Sequence, residues 1–532
     1  MIQFAMGGPA AVFEPVIRPN SRWRMPNSPA APAREGRSLS TGAVVGNIVM
    51  LLLAGHLVIT AYFPSAAINA VGLLLVTAIL GRILFVKRDP FAFVLAVFFC
   101  AHFQYANHQG GLFNLVAFLL GTIYLVIEPN VRETRARDRL VTALVLVLFL
   151  SNMLGLLIRN PMPFVVIVLQ GAAFTSVLLM FSIASNLRLT RGRLKTLLTV
   201  SALMIAYNFL VSLNQHYSVL KIETPLLVMT RDPFSLNTSS PGVFGSASSN
   251  GQWAMMMLAL LGPLISATAS KRSLGVGPLI FIPAIALLGL TLVLANMRAA
   301  VVESVVIVLI YVMLFSVMYR RFFRNTKHLN RASLAAAVFL VVAGTWVGLQ
   351  NISRDFEAVR IASINAIESG DALNRGGPWK FGLNVLETGT WWVGYGHGND
   401  KSNLIAWGGK RTGSGQMSPM LRPGEIVGGG HFHNLYLALP TLYGWAGAAA
   451  YVLVFLVVLF RLAGAVRRYS LGDLMVVACL GFMTSLFFFL IDEIKSGNAV
   501  QTINYAMVVW IWLGLGLAAW RTLRVDLAAA RM

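Results

Sequence analysis

Long, nearly uncharged apolar runs recur throughout this chain, and they restrict its fold more than any other feature. Fourteen can be marked, at about 43–62, 67–84, 91–106, 112–127, 140–158, 163–183, 196–213, 253–269, 276–295, 299–318, 332–349, 435–460, 471–490 and 500–519. A helix of about 20 residues crosses a hydrocarbon core of roughly 30 Å with every backbone hydrogen bond made internally, which an open strand there cannot do. The runs 91–106 and 112–127 are short and flank the polar patch Gln104 to Gly111. Composition agrees: 57% hydrophobic and 12% charged residues over 532 positions is not the balance of a soluble domain. The reading is an all-α polytopic membrane protein with about 14 transmembrane helices.

A net charge of +22 raises the question of nucleic acid. With the N-terminus inside and the spans alternating, the inner segments hold 29 of the 42 basic residues but 8 of the 20 acidic ones. The surplus is spread over eight separate segments, as the positive-inside rule demands, rather than gathered on one face. Both termini are therefore expected to be cytoplasmic and no nucleic acid is implied. Residues 1–42, rich in Pro and Arg and without an apolar core for a cleaved signal, read as a basic disordered cytoplasmic tail lying on anionic membrane lipid. Cys100 and Cys479 both fall inside apolar runs and offer neither a thiolate metal site nor an external staple.

Alternation divides the rest into N-terminal helices over 43–213, a central region over 214–349, an outer loop over 350–434, and C-terminal helices with a short tail over 435–532. Two outer segments exceed a short turn, Asn214 to about Gln252 and Gln350 to Asn434. Inner loops are short and basic, with no glycine-rich phosphate cradle, which argues against an ATP-driven pump. Aqueous chemistry is expected in the outer segments. The larger opens with Ile352, Phe356, Val359, Ile361, Ile364 and Ile367 near helical spacing, an amphipathic surface helix. A second helix start follows at Arg375-Gly376-Gly377-Pro378-Trp379, then Trp391-Trp392-Val393-Gly394-Tyr395-Gly396-His397, and a Gly- and Ser-rich flexible stretch over 408–430. Trp391 and Trp392 are open to two readings, interfacial anchors or platforms for sugar rings.

Arg298 stands at an outer boundary, against the charge bias, with Glu303 deeper in the same helix; it is either a snorkelling arginine or a functional group. Gly242-Val243-Phe244 through Asn250 leads a run of small residues into a helix start, a place suited to an anion, with Arg231 before it. The loop closes on His433-Asn434, nine residues, Gly444, two residues, Gly447.

In that order these pieces resemble the superfamily of O-antigen ligases and Wzy-type polysaccharide polymerases. His433-Asn434 through Gly447 is similar to the family's H-[NSQ]-x9-G-x-x-G closure. Gly242-Val243-Phe244, Asn250 and Ala254 are similar to its G-x-F…N…A segment, Arg298 to its span-entry arginine, and Arg375…Trp379…Gly394-Tyr395-Gly396 to its R…W…G-x-G stretch. The resemblance covers about residues 230–460. Fourteen spans exceed the twelve typical of the ligases, and Arg298 is followed by valine where leucine is common.

The resemblance implies a bacterial inner-membrane glycosyltransferase whose large, partly helical loop is periplasmic. Its donor would be an undecaprenyl-diphosphate-linked glycan, and its acceptor another glycan or lipid A-core. Arginine suits the diphosphate because it stays charged and binds phosphate oxygens bidentately. Arg298, Arg375 and Arg231 are the candidates. His433, with an ordinary pKa of about 6.5, is the candidate base for the acceptor hydroxyl. Asn434, Trp379, Trp392, Tyr395 and Asn250 are the candidate glycan-binding residues; His431 and His397 read as bystanders. No cofactor and no metal is called for. A polymerase is the first reading, a ligase the alternative, and a lipid-linked oligosaccharide transporter the third.

Overall fold

Backbone polar groups in an apolar layer have no water to bond, so the chain meets that constraint locally. Among the described residues it forms helices and no strand. The computed structural model describes residues 40–60, 66–101, 110–127, 138–159, 164–217, 242–244, 247–270, 278–295, 297, 300–311, 386–387, 392–397, 434–469, 473–494, 496–501 and 503–529. The helices are α1 (Thr41–Thr60), α2 (Ala66–Gly81, prolonged by a π-turn over Arg82–Val86), α3 (Pro90–Cys100), α4 (Gly110–Ile127), α5 (Arg139–Ile158), α6 (Phe164–Asn186) and α7 (Arg191–Tyr217). They continue with α8 (Ala247–Ser270), α9 (Pro278–Ala295), α10 (Ala300–Tyr311), α11 (Leu435–Arg468), α12 (Leu474–Asp492) and α13 (Ile503–Ala529). Six of them, α5, α6, α7, α11, α12 and α13, are long and apolar enough to cross a membrane. Each apolar run marked in the sequence overlaps one of these helices except 332–349, which lies outside the described residues. So do the surface helix expected after Ile352 and the Gly- and Ser-rich stretch.

α13 is the centre of the packing. It lies against α6, α11 and α12, and its Trp510 and Trp512 are fully enclosed. Trp512 stacks on Phe98 at 5.6 Å and donates its indole N–H to Ser485 Oγ at 3.0 Å. That bond removes the penalty of burying a lone donor. α3 is apolar on every side, and all its residues from Pro90 to Cys100 are buried. At 11 residues it measures about 16 Å, half a hydrocarbon core, and it fills the bundle interior.

The polar ends sort into two layers. At one end Asp89, Asp138 and Asp473 cap α3, α5 and α12 by accepting from their first backbone N–H groups. Arg193 reaches Asp89, and Arg461 pairs with Asp138. Arg521 donates to Ser185 O and to Asn186 Oδ1, and Arg188 pairs with Asp526. Arg461 and Arg524 both lie over the Trp520 ring. This is the basic end. The opposite end receives the 392–397 segment and the buried acids Asp492 and Glu493, and is called the loop end below.

α11 is 34 residues long and is broken. Pro440 lies within it, and Gly444 takes φ 67° and ψ 173°, a conformation open only to glycine. A first piece runs from Leu435 to Tyr443. A second, from Trp445 to Arg468, is about 36 Å long, enough for a crossing by itself. The apolar run that the sequence marks from 435 falls in this helix, which is long and apolar enough to cross a membrane from Leu435 on, with Gly444 redirecting the chain inside it. Gly447 follows on the side facing α5, where a Cβ would come within 2.7 Å of Ser151 Cβ.

Gly444→Ala is expected to cost about 1–3 kcal/mol or more and to lower the Tm and yield of detergent-extracted protein. Gly464→Ala, where a Cβ meets nothing within 4 Å, is the matched control and is expected to leave both unchanged. Equal behaviour of the two variants by fluorescence-detected size exclusion would refute a required break.

Candidate functional site

Three polar assemblies meet at the loop end. The first starts from α7, whose Asn208, Ser212 and Gln215 are spaced i, i+4, i+7 and share one helical face. Asn208 donates to Asn250 Oδ1 at 2.8 Å, and Asn250 donates to Ser212 Oγ at 3.2 Å. Gln215 exchanges two hydrogen bonds with the Gly242 backbone, at 2.8 and 3.0 Å, and Val243 N–H donates to Asn208 Oδ1 at 3.0 Å. The Gly242–Phe244 turn is thereby fixed on α7, and Asn250 at the head of α8 is enclosed with it.

The second assembly holds the start of α11. Asn434 Oδ1 accepts from Tyr436 N–H at 2.9 Å and Leu437 N–H at 3.3 Å, the ordinary use of an N-cap asparagine. Leu435 N–H donates to the Glu493 carbonyl at 2.9 Å. The Glu493 carboxyl is itself buried. It accepts from Gln252 Nε2 at 2.9 Å and, at 3.4 Å, from Ser496 Oγ and Ala499 N–H. Burial dominates over these bonds, with the charge of Asp492 acting the same way, and the carboxyl is pushed from its ordinary 4.5 to about 8. Only the Gln252 bond is short enough to oppose that strongly. At neutral pH Glu493 is a protonated acid.

The third assembly is a joint between the outer loop and the broken helix. Tyr395 N–H donates to Thr441 O and Gly396 N–H to Leu442 O, both at 2.8 Å. Those carbonyls sit in the last turn before Gly444, where an interrupted helix leaves acceptors to be satisfied. Gly394 lies so close that a Cβ would be 2.3 Å from Leu442 C. α5 closes the other side: Arg159 donates to Val393 O at 2.5 Å, and Asn152 Oδ1 accepts from His397 N–H at 2.8 Å. His397 is buried, stacks on Phe174 at 5.2 Å, and has its Nδ1 2.6 Å from Tyr443 Oη. Arg159 lies 5.4 Å from the Tyr395 ring centre. Burial raises the Tyr395 hydroxyl above its ordinary value, and Arg159 opposes that rise.

Of the sequence candidates, His433, Arg298, Arg375, Arg231 and Trp379 lie outside the described residues. Asn434, Asn250, Tyr395 and Trp392 are placed. The first two have side chains engaged in holding helix starts, Tyr395 is half-buried in the joint, and Trp392 is 80% exposed beside it. The structure brings the Gly394–Gly396 motif onto Thr441 and Leu442, in the turn before Gly444. It also links the Asn250 segment to Asn434 through Gln252, Glu493 and Leu435. Sequence reasoning passed over Glu493, Gln252, Tyr443, Asn152 and the α7 amides, and it set His397 aside. The polar stripe 208, 212, 215 in an apolar run was a readable signal; the depth of Glu493 was not. Among the described residues no group of three or more His, Cys, Asp or Glu gathers that could hold a metal. Set against models of known protein families and against curated proteins, the chain matches none.

The Glu493 carboxyl gives a pH test. The folded state keeps its proton up to about pH 8, whereas the unfolded chain releases it near 4.5. Its contribution to stability is therefore full below 4.5 and is lost as pH rises to about 8. Wild type is expected to lose Tm between pH 5 and 8 relative to Glu493→Gln. Parallel Tm curves for the two would show that the acid is ionised in the fold.

Proposed function

We propose that this chain is an inner-membrane glycosyltransferase of the O-antigen ligase and Wzy-type polymerase kind, working at the periplasmic face with fourteen spans and both termini cytoplasmic. The observation that carries the reading is the joint at Gly444. The Gly394-Tyr395-Gly396 motif is in backbone contact with Thr441 and Leu442, in the turn just before Gly444, inside the segment that runs from His433 to Gly447. The charge asymmetry supports the orientation: the end rich in arginine faces the cytoplasm and the loop end faces outward.

On this reading the donor is a glycan on undecaprenyl diphosphate, and the transfer of its anomeric carbon from the diphosphate oxygen to the acceptor oxygen is driven by the diphosphate as a good leaving group. Arg298, Arg375 and Arg231 hold the phosphate charge that develops as that bond breaks. His433 takes the proton of the acceptor hydroxyl as its oxygen bonds to the anomeric carbon. Asn434 fixes the helix that follows His433, since its side chain caps that helix. Trp379, Trp392 and Tyr395 offer ring faces to the sugars. The acceptor is a growing glycan, which makes the chain a polymerase; transfer to lipid A-core would make it a ligase with the same donor-side residues.

Complementation of a strain lacking its surface polysaccharide tests this. His433→Ala and Arg298→Ala, expressed at wild-type levels, are expected to abolish polymer, by at least 100-fold, and to accumulate lipid-linked single repeats. Accumulation of long lipid-linked chains would assign ligation. Full polymer in both variants would remove the site and favour transport.

A further inference from the structure

Hydrogen bonds to two helices, α5 and α11, hold the residues from Trp392 to His397. Two go to the α11 backbone before the break, one comes from Arg159, one goes to Asn152, and one joins His397 to Tyr443. The first piece of α11 is thus gripped from both ends. Asn434 and Glu493 hold its start. Tyr443, its last residue before Gly444, is held by His397 and stacks on Tyr451 at 6.1 Å in the second piece. His433 immediately precedes that piece in the chain. A helical piece that ends at a glycine break has no continuous hydrogen-bond ladder into the next piece to set its angle. The angle is set by what grips it.

We propose that His397 and Tyr443 are a positioning pair: their contact locks the Gly394–His397 segment into the break of α11 and so fixes the piece that follows His433. The inference rests on the glycosyltransferase reading for its consequence in catalysis, but the lock itself does not. It is a strut that stays closed through turnover. The Tyr395 and Gly396 amides are committed to helix carbonyls, and Gly394 leaves no room for a side chain between segment and helix. His397 Nδ1 and Tyr443 Oη lie 2.6 Å apart, at hydrogen-bond distance, with both side chains buried in an aromatic stack.

Hydrogen–deuterium exchange on the full-length protein in lipid nanodiscs reads the lock directly. In wild type the 395–397 amides are expected to exchange at least 100-fold more slowly than an unstructured loop, with or without a lipid-diphosphate glycan donor. Tyr443→Phe keeps the ring and removes only the hydroxyl. It is expected to keep the wild-type Tm within a few degrees, to speed exchange of those amides about tenfold, and to lower kcat about tenfold with donor KM unchanged. His397→Gln is the second variant, expected to match Tyr443→Phe, and it guards against a packing artefact at one site. Fast exchange in wild type, deprotection on donor binding, or a wild-type kcat in both variants overturns the proposal. A wild type without transfer activity but with protected amides would instead overturn the functional reading, and with it the catalytic consequence of the lock.

Discussion

The joint between the outer loop and α11 depends on one interruption, Gly444 with its positive φ inside that helix. A continuous helix there would have presented a sealed cylinder. The break ends one ladder of hydrogen bonds and starts another, and the turn before it offers carbonyls to a passing chain. The Tyr395 and Gly396 amides use them, and Gly394 lets the loop backbone meet the helix backbone at Leu442 without a side chain between them. A motif written as two glycines three residues apart is thus two different devices. Gly444 supplies a dihedral angle, and Gly447 supplies proximity to α5.

The same layer holds a chain of buried polar contacts that runs across helices rather than along them. Asn208, Ser212 and Gln215 on α7 organise the Gly242 turn and Asn250, while Gln252, one residue beyond Gly251, binds Glu493, which in turn receives Leu435. In apolar surroundings each unmade partner is costly, so such a chain fixes the relative placement of its helices more firmly than dispersion contacts alone. At the opposite end the work is done by charge. Aspartates cap incoming helices and arginines bridge them, with the Trp520 face as a shared platform for two guanidinium groups. One end is wired by neutral amides and a protonated acid, the other by ion pairs.

Proposed catalysis fits this division. The basic end suits an anionic leaflet, and the described 392–397 segment and the Gly242 turn both lie at the loop end. Trp392 and Trp445 are both exposed there, on either side of the joint, and aromatic rings of that kind suit an interface where lipid and water meet.

The apolar runs were legible because helices long enough to fill a hydrocarbon layer need an unbroken stretch of suitable side chains, and the sequence displays each stretch directly. The asymmetry of charge and the order of the motifs were legible for the same reason, being properties of position along the chain. The tertiary structure alone decided that Gly444 divides α11, that Gly394 presses on Leu442, that His397 is enclosed rather than incidental, and that Glu493 lies deep enough to keep its proton. Each of these depends on which segments, often tens or hundreds of residues apart, share one volume. A local pattern records what a residue can do, whereas burial and partnership are settled only when the helices close on one another.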